Sequence, residues 1–276
     1  MKKIIFILLT IVLFSCSNSG DNQSQTTPPE PNSKLLTAIK EVEGYFQFST
    51  FNYNKNSLIK MNYGEMADKF TSGYMEVHQV GYTNGKISRI AHNGDYSNTN
   101  PDDFSYNYNL DTYGSDTASN PTSGLEIISY TNNNSILYKS IYRNYEFNLN
   151  NQQQVVNILE NSKLADEFIL SNNQVVKQIH YGSEKDEYTF VYDNKINPSF
   201  ELYKKYGVLN SYVSSPLPGH AKIYYNFLSN NPTKIYKNSS LTYTLSYQYD
   251  TENYPISVVV YDSTNKRTSK YIYTYK

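Results

Sequence analysis

Apolar and polar residues alternate along most of the chain after residue 34, and this period of two constrains the fold more than any other feature. The clearest runs are residues 45–53, 104–108, 188–192, 243–249 and 271–275, in which aromatic or aliphatic residues largely alternate with polar ones. In a β-strand successive side chains point to opposite faces, and aromatic and β-branched residues favour strands. The sequence therefore predicts an all-β protein with few or no helices.

One turn pattern recurs between these runs: an aromatic or Leu residue, then a polar turn, then apolar residues. Its strongest example is Asn84-Gly85 between Tyr82 and Ile87, because Asn-Gly is the best short hairpin signal. Copies begin at residues 130, 149, 170 and 192, spaced by 19, 21 and 22, and at residues 227 and 249, spaced by 22. The repeat predicts a serial antiparallel β-meander of hairpins, forming one large twisted sheet that is curled or closed like a barrel.

Two segments fit either a short helix or a strand. Residues 35–43 are interpreted as a strand because Gly44 can turn the chain into the next strand. Residues 152–165 are interpreted as strand because 149–156 closely resembles 170–176. Inserted loops are predicted at 93–101 and 114–124, which are rich in small polar residues, and a subdivision of the domain near 214–220, where Pro and Gly cluster.

The first sixteen residues form a separate unit. Lys2 and Lys3 precede an apolar run at 4–14, which is too short to span a membrane as a helix and fits the core of a signal peptide. The sequence Leu13-Phe14-Ser15-Cys16 resembles the lipobox of bacterial lipoproteins, although Phe14 is bulkier than usual. This resemblance implies a signal peptide at 1–15 and lipidation of Cys16, the only cysteine of the chain. An unmodified thiol in an ordinary secretory signal is the alternative.

The segment 16–33 is predicted to be the lipidated Cys followed by a disordered tether. Its residues after Cys16 include no aliphatic side chain, so the tether cannot bury enough surface to offset the entropy of ordering. Lipoprotein sorting as generally understood uses Asp after the Cys for inner-membrane retention. Here that residue is Ser17, which favours anchoring in the outer membrane. The periplasmic and cell-surface faces both stay open.

The domain at 34–276 resembles a known type of protein. Tyr192-Asp193, Tyr249-Asp250 and Tyr261-Asp262 are each followed by a polar turn and look like degenerate YD repeats of the RHS type. With the lipobox and the tether, the plan is similar to uncharacterised Bacteroidota lipoproteins built of YD-like hairpins. True YD repeats carry Gly-Arg after the turn, and only Gly85-Lys86 comes near. The resemblance implies an envelope lipoprotein and transfers no activity.

Composition and motifs exclude several functions. The net charge of −1 gives no basic field for nucleic acid, so no nucleic-acid partner is predicted. The sequence contains no hydrolase elbow, zinc-protease motif or phosphate-binding loop. The four His residues are scattered, and the loop acids match no calcium loop. We therefore predict no catalytic residue, no cofactor and no metal. The scattered residues are His78, His92, His180 and His220, and the loop acids are Asp102, Asp103, Asp111 and Asp116.

The chain has 30 Tyr and 34 Asn residues, and two interpretations of the Tyr enrichment are open. Tyr rings pack on sugar faces, so a sheet face lined by exposed Tyr is suited to glycans or peptides. Alternatively, Tyr serves as the core-facing aromatic residue of strands, and AT-rich codon usage accounts for the excess. Thr117 and Ser263 lie in Asp-Thr-Ala and Asp-Ser-Thr, which resemble the O-glycan acceptor motif of Bacteroidota, and are candidate acceptors.

These observations predict a lipid-anchored, monomeric, non-enzymatic cell-envelope protein with a structural or binding role. Its partners would be the membrane, through the anchor, and a glycan, peptide or protein. A transmembrane barrel is disfavoured because the alternating strands lack a continuous apolar face. The alternatives are an envelope glycan hydrolase with paired carboxylates and an accessory subunit of an outer-membrane complex.

Overall fold

The computed structural model describes residues 34–43, 47–66, 73–95, 123–131, 134–140, 143–209, 215–217 and 222–276. From Lys34 onward these residues form one compact unit, a single closed barrel of 16 antiparallel strands. Each strand pairs with its neighbours in sequence, and the first strand closes on the last. The strands are β1 Leu36–Glu43, β2 Phe48–Asn54, β3 Ser57–Met66, β4 Gly73–Thr83, β5 Lys86–Asp95, β6 Ser123–Tyr130, β7 Ser135–Lys139, β8 Asn144–Leu149, β9 Val155–Glu160, β10 Lys163–Ser171, β11 Gln174–Tyr181, β12 Lys185–Ile196, β13 Asn230–Lys237, β14 Ser240–Tyr249, β15 Pro255–Asp262 and β16 Arg267–Tyr275.

The fold class is confirmed: the protein is all-β, a serial meander that closes into a barrel. Both ambiguous segments contain strands, β1 and β9. The predicted run 104–108 lies outside the described residues. So do most of the two predicted loops and most of the predicted subdivision near 214–220, which stay predictions.

Asn marks the hairpin turns, as the composition indicated. Twelve described residues other than Gly have positive φ, and eight of them are Asn. Asn tolerates the left-handed conformation better than other residues with a Cβ, which is what tight hairpins require. The described hairpin turns at the two ends of the barrel are therefore short and polar. The end with the β2–β3, β4–β5 and β8–β9 turns is called the tyrosine end here, and the other the opposite end.

Six Tyr residues fasten the strands together at the tyrosine end. Each lies near the end of an even-numbered strand and donates its hydroxyl to a backbone carbonyl within the first three residues of the preceding strand. The O···O distances are 2.5–3.2 Å. Burial raises the pKa of Tyr130 to about 12, so its hydroxyl stays a donor at physiological pH. These six staple tyrosines are Tyr53, Tyr82, Tyr130, Tyr192, Tyr247 and Tyr275.

The described parts of the segment between β12 and β13 pack inside the barrel. Sixteen strands enclose more space than the side chains of the wall can fill. The segment supplies helix α1, Pro198–Tyr206, and a short 3₁₀ turn, Tyr225–Phe227, whose buried side chains join the core formed by the wall. Asn197 holds the segment together: its side chain accepts from the Ser199 N–H at 3.0 Å and donates to the Leu228 carbonyl at 2.6 Å.

Candidate functional site

A cavity of about 400 Å³ lies at the tyrosine end, between α1 and the hairpin turns. We call it the end cavity. Helix α1 forms one side of it, and the strands and turns from β4 to β11 form the other. Its described lining consists of Lys86, Tyr130, Ile136, Leu149, Gln152, Gln153, Gln154, Asn173, Phe200, Tyr203, Lys204, Gly207 and Ser229. Its volume lies at the small end of the range for ligand pockets.

Aromatic rings and amide side chains supply most of this lining. Tyr130, Phe200 and Tyr203 present ring surface, and the centroids of Phe200 and Tyr203 are 6.1 Å apart. Three consecutive Gln residues and Asn173 add amide groups, which can both donate and accept hydrogen bonds. Rings beside amides are the combination that binds sugars, whose C–H faces stack on rings and whose hydroxyls need polar partners.

The helix is fixed to the hairpins by specific contacts. The Tyr203 hydroxyl donates to the Gln153 carbonyl at 3.2 Å, and the Tyr206 hydroxyl donates to the Asn56 carbonyl at 2.7 Å. The helix ends at Gly207, whose φ of 78° is left-handed. A Cβ at Gly207 would lie 2.4 Å from the Tyr130 hydroxyl oxygen, so glycine also permits the close approach of this staple tyrosine.

The turns that border the cavity are ordered by their own side chains. The Gln154 side chain donates to the Asn173 carbonyl at 2.6 Å, linking the β8–β9 and β10–β11 turns. The Asn150 carboxamide oxygen accepts from the backbone N–H groups of Gln152 and Gln154, at 3.0 and 2.9 Å. The rim of the end cavity is therefore held in place before any ligand binds, which lowers the entropy cost of binding.

One buried polar cluster lies near the opposite end of the barrel. Asp166, almost fully buried, accepts from the Gln178 side chain at 2.9 Å, and its carboxylate oxygen lies 3.1 Å from His180 Nδ1. Burial raises the pKa of Asp166 to about 6, while the hydrogen bond from Gln178 and the nearby His180 and Lys222 lower it. The pairing of β10 with β11 brings His180 and Asp166 together, a contact that their spacing in the sequence does not predict.

The predicted site residues lie elsewhere. Cys16 and Thr117 fall outside the described residues, as do His220 and the four loop acids, so the anchor stays a prediction. Ser263 is exposed in the β15–β16 turn, where the Asp262 carboxylate accepts from the Thr264 N–H at 2.9 Å and from its hydroxyl at 2.7 Å. Its role as an O-glycan acceptor also stays a prediction.

The expectation of a sheet face lined by exposed Tyr is wrong for the described strands. Tyr138, Tyr188, Tyr271 and Tyr273 point into the barrel and are buried. The reason is closure: one face of the meander becomes the interior, and the large half-apolar rings fill it. The interpretation of Tyr as a core residue fits these positions, and open ring surface is left at the end cavity.

Sequence reasoning missed helix α1 and with it one side of the end cavity. The signal was present: Asn197-Pro198 is a typical helix start, Lys204 and Lys205 suit the last turn, and Gly207 is a typical end. Most of the lining comes from hairpins that the repeat did predict. No helix in the described part of the chain is long and apolar enough to span a membrane.

Comparison with known proteins adds little to this geometry. No family model matches the sequence, and no curated protein matches it. Among solved structures, a porin-like protein from Bacteroides vulgatus is similar, with 11% identity and a TM-score of 0.39 over 88% of this chain and 99% of that chain. The description of the fold therefore rests on the strand pairing of the chain itself.

Proposed function

We propose that the chain is a lipid-anchored, non-enzymatic protein of the bacterial cell envelope that binds saccharides in the end cavity. The lipobox-like sequence before Cys16 supports the anchor, and the absence of aspartate at position 17 supports the outer membrane. The single observation that carries the binding role is the end cavity, where three aromatic residues and four residues with amide side chains line one space. The resemblance to YD-like envelope lipoproteins is consistent with this role.

The barrel wall supports a domain that sits in water beside the membrane. On β11 and β12, Lys177 and Glu187 project outward and form an ion pair of 3.0 Å. A lysine on the lipid-facing side of a barrel costs about 2–4 kcal/mol at the centre of the bilayer. The interior holds the apolar side chains instead, including Phe168 and Ile235. This arrangement suits a water-facing barrel, for which a lipid anchor supplies the attachment.

The described lining of the end cavity contains no Asp or Glu. A glycan hydrolase of the usual kind needs two carboxyl groups across the bond that breaks. The end cavity is therefore better suited to holding a saccharide than to cleaving one. A role as an accessory subunit of a complex has no observation of its own here, and we do not propose it.

The binding proposal is tested on a glycan array with the Cys16→Ser chain, which cannot be lipidated. We expect binding to a restricted set of oligosaccharides. Leu149→Tyr adds a ring and a hydroxyl to the cavity wall and should reduce binding at least about tenfold, because it occupies the site. Leu170→Tyr makes the same change in the neighbouring hairpin, outside the lining, and should bind normally. An array without signal, or equal binding by both variants, would contradict the proposal.

The anchor is tested by membrane fractionation in a bacterial host that has an outer membrane and processes lipoproteins. Wild-type chain should be found in the outer membrane, with processing blocked by globomycin, and Cys16→Ser should be released into the soluble fraction. Two or more acyl chains give stable anchoring, since each buried CH₂ contributes about 0.8 kcal/mol. A Cys16→Ser chain that is still held in the outer membrane would refute the anchor without affecting the binding test.

A further inference from the structure

The charged side chains that line the end cavity are all positive. Lys86 reaches it from the β4–β5 turn and Lys204 from the last turn of α1. The Lys86 ammonium lies 4.8 Å from the ring centroid of Tyr130, so the ring holds the charge at the cavity wall. Within the described residues, neither lysine forms an ion pair with a carboxylate, although the chain as a whole is nearly neutral.

The positive charge at this site is larger than the fold requires. The C-terminal end of a helix carries partial negative charge, which a basic residue in the last turn offsets. Helix α1 has two such residues, Lys204 and Lys205, and the Gly207 N–H also satisfies the Tyr203 carbonyl at 2.7 Å. Lys205 lies against the ring of Tyr206, 5.5 Å from its centroid, and is not part of the lining. Lys204 instead lines the cavity, where its charge can attract a negatively charged ligand.

We infer that the end cavity binds a negatively charged saccharide, with Lys86 and Lys204 pairing with its acidic groups. The inference rests on the proposed saccharide binding and specifies its ligand class. The aromatic rings stack on the sugar face, and the amides form hydrogen bonds with the hydroxyls. The two lysines, which reach the cavity from different elements, form ion pairs with carboxylates. Partial enclosure strengthens such pairs relative to pairs on an open surface, because water screens them less.

The test measures the affinity of three probes for the Cys16→Ser chain by calorimetry at low and moderate salt. The probes are trigalacturonate, its neutral counterpart galactotriose, and tricarballylate, a tricarboxylate without sugar rings. We expect trigalacturonate to bind at least about tenfold more tightly than either of the others, and its affinity to fall as salt rises. Lys86→Gln and Lys204→Gln should each reduce its affinity about three- to tenfold and leave galactotriose unchanged. Lys205→Gln is the matched control and should change neither.

The outcomes separate this inference from the proposal on which it rests. Equal binding of trigalacturonate and galactotriose would overturn the charge preference and leave saccharide binding intact. Equal binding of tricarballylate and trigalacturonate would contradict saccharide binding and indicate a plain anion site. Absence of binding by trigalacturonate would overturn the inference, and the glycan array would then decide the proposed function by itself. Loss of preference in Lys205→Gln as well would also overturn the assignment of the two lysines.

Discussion

The five hairpins from β2 to β11 at the tyrosine end are of two kinds. In β2, β4 and β6 the last large residue before the turn is a staple tyrosine that reaches the preceding strand, whereas β8 and β10 carry Leu149 and Leu170 at the equivalent position. Leucine packs against the core but has no hydroxyl for the carbonyl. The end cavity lies against the first leucine hairpin and its neighbours.

This difference shows how one repeated position can either tie two strands together or leave space for a cavity. A tyrosine at this position fills the barrel end with its ring and ties two strands together with its hydroxyl. A leucine is smaller and leaves room beside it. The same backbone then borders a space, but the hydrogen bond from the tyrosine hydroxyl to the preceding strand is lost. The repeat therefore tolerates a cavity where the tyrosine is replaced, and helix α1 provides the other wall.

The largest expected effect is at Gly207, where the helix meets the staple tyrosine Tyr130 next to the leucine hairpins. Gly207→Ala should lower the free energy of unfolding by about 2–4 kcal/mol, because the new Cβ both strains a left-handed backbone and collides with Tyr130. Gly85→Ala is the matched control: its φ is also positive, at 76°, but nothing lies within 4 Å of its Cβ. Denaturant unfolding of both variants should show the larger loss at Gly207, and equal losses would refute the collision.

Asp166, near the opposite end of the barrel, predicts a pH effect between pH 4 and 7. The pKa of Asp166 is about 6 in the folded chain, above its ordinary value of 3.8, because burial disfavours the charge. The folded state therefore holds this proton more tightly, and the contribution is present at pH 4 and lost as pH rises through 6. Its size is on the order of 2 kcal/mol. Asp166→Asn cannot ionise, so its stability in thermal unfolding should rise relative to that of wild type between pH 4 and 7.

A control with the opposite sign is available in the same barrel. Hydrogen bonds, first from the Thr264 side chain, lower the pKa of Asp262 in the β15–β16 turn. Asp262→Asn should therefore lose stability relative to wild type as pH rises from 3 to 5, because the stabilising charged form is missing. Parallel pH profiles for wild type and Asp166→Asn would contradict the effect assigned to Asp166.

The third prediction concerns a single staple. Tyr192 donates to the Val175 carbonyl at 2.5 Å, and Tyr192→Phe removes this hydroxyl while keeping the ring. We expect a loss of about 1–2 kcal/mol, because a partly buried carbonyl loses its partner. Tyr236→Phe, on the outer face of β13, should change stability by less than about 0.5 kcal/mol. Similar losses in the two variants would mean that the staples contribute no more than surface hydroxyls.

Much of this architecture could be predicted from local sequence. Alternation identified the strands, and Asn at the turns identified hairpins such as residues 82–90 and 170–176. Both signals are local, because strand faces and turn conformations depend on neighbouring residues. Closure of the barrel depends on whether β1 pairs with β16, a contact between the two ends of the domain that no local pattern records.

The end cavity could be predicted only in part, for the same reason. The turn residues Gln152, Gln153 and Gln154 lie in a hairpin that the repeat identified. Tyr203 and Lys204 reach the cavity only because helix α1 packs into the barrel, which depends on the width of the barrel. Likewise, Asp166 and His180 share no sequence motif and meet because β10 pairs with β11.

The smallest expected effect tests whether the leucine position can be converted to a staple. Leu170 is partly buried and pairs across the hairpin with Val175, in the same register that Tyr53 has with Leu58. In Leu170→Tyr, the ring should pack against the core as the leucine does, and the hydroxyl should reach a carbonyl at the start of β9. A gain of about 0.5–1 kcal/mol in the free energy of unfolding would be expected, since a new hydrogen bond of this kind contributes that much. A loss would show that the leucine hairpins differ from the stapled ones in backbone geometry and not only in the residue before the turn.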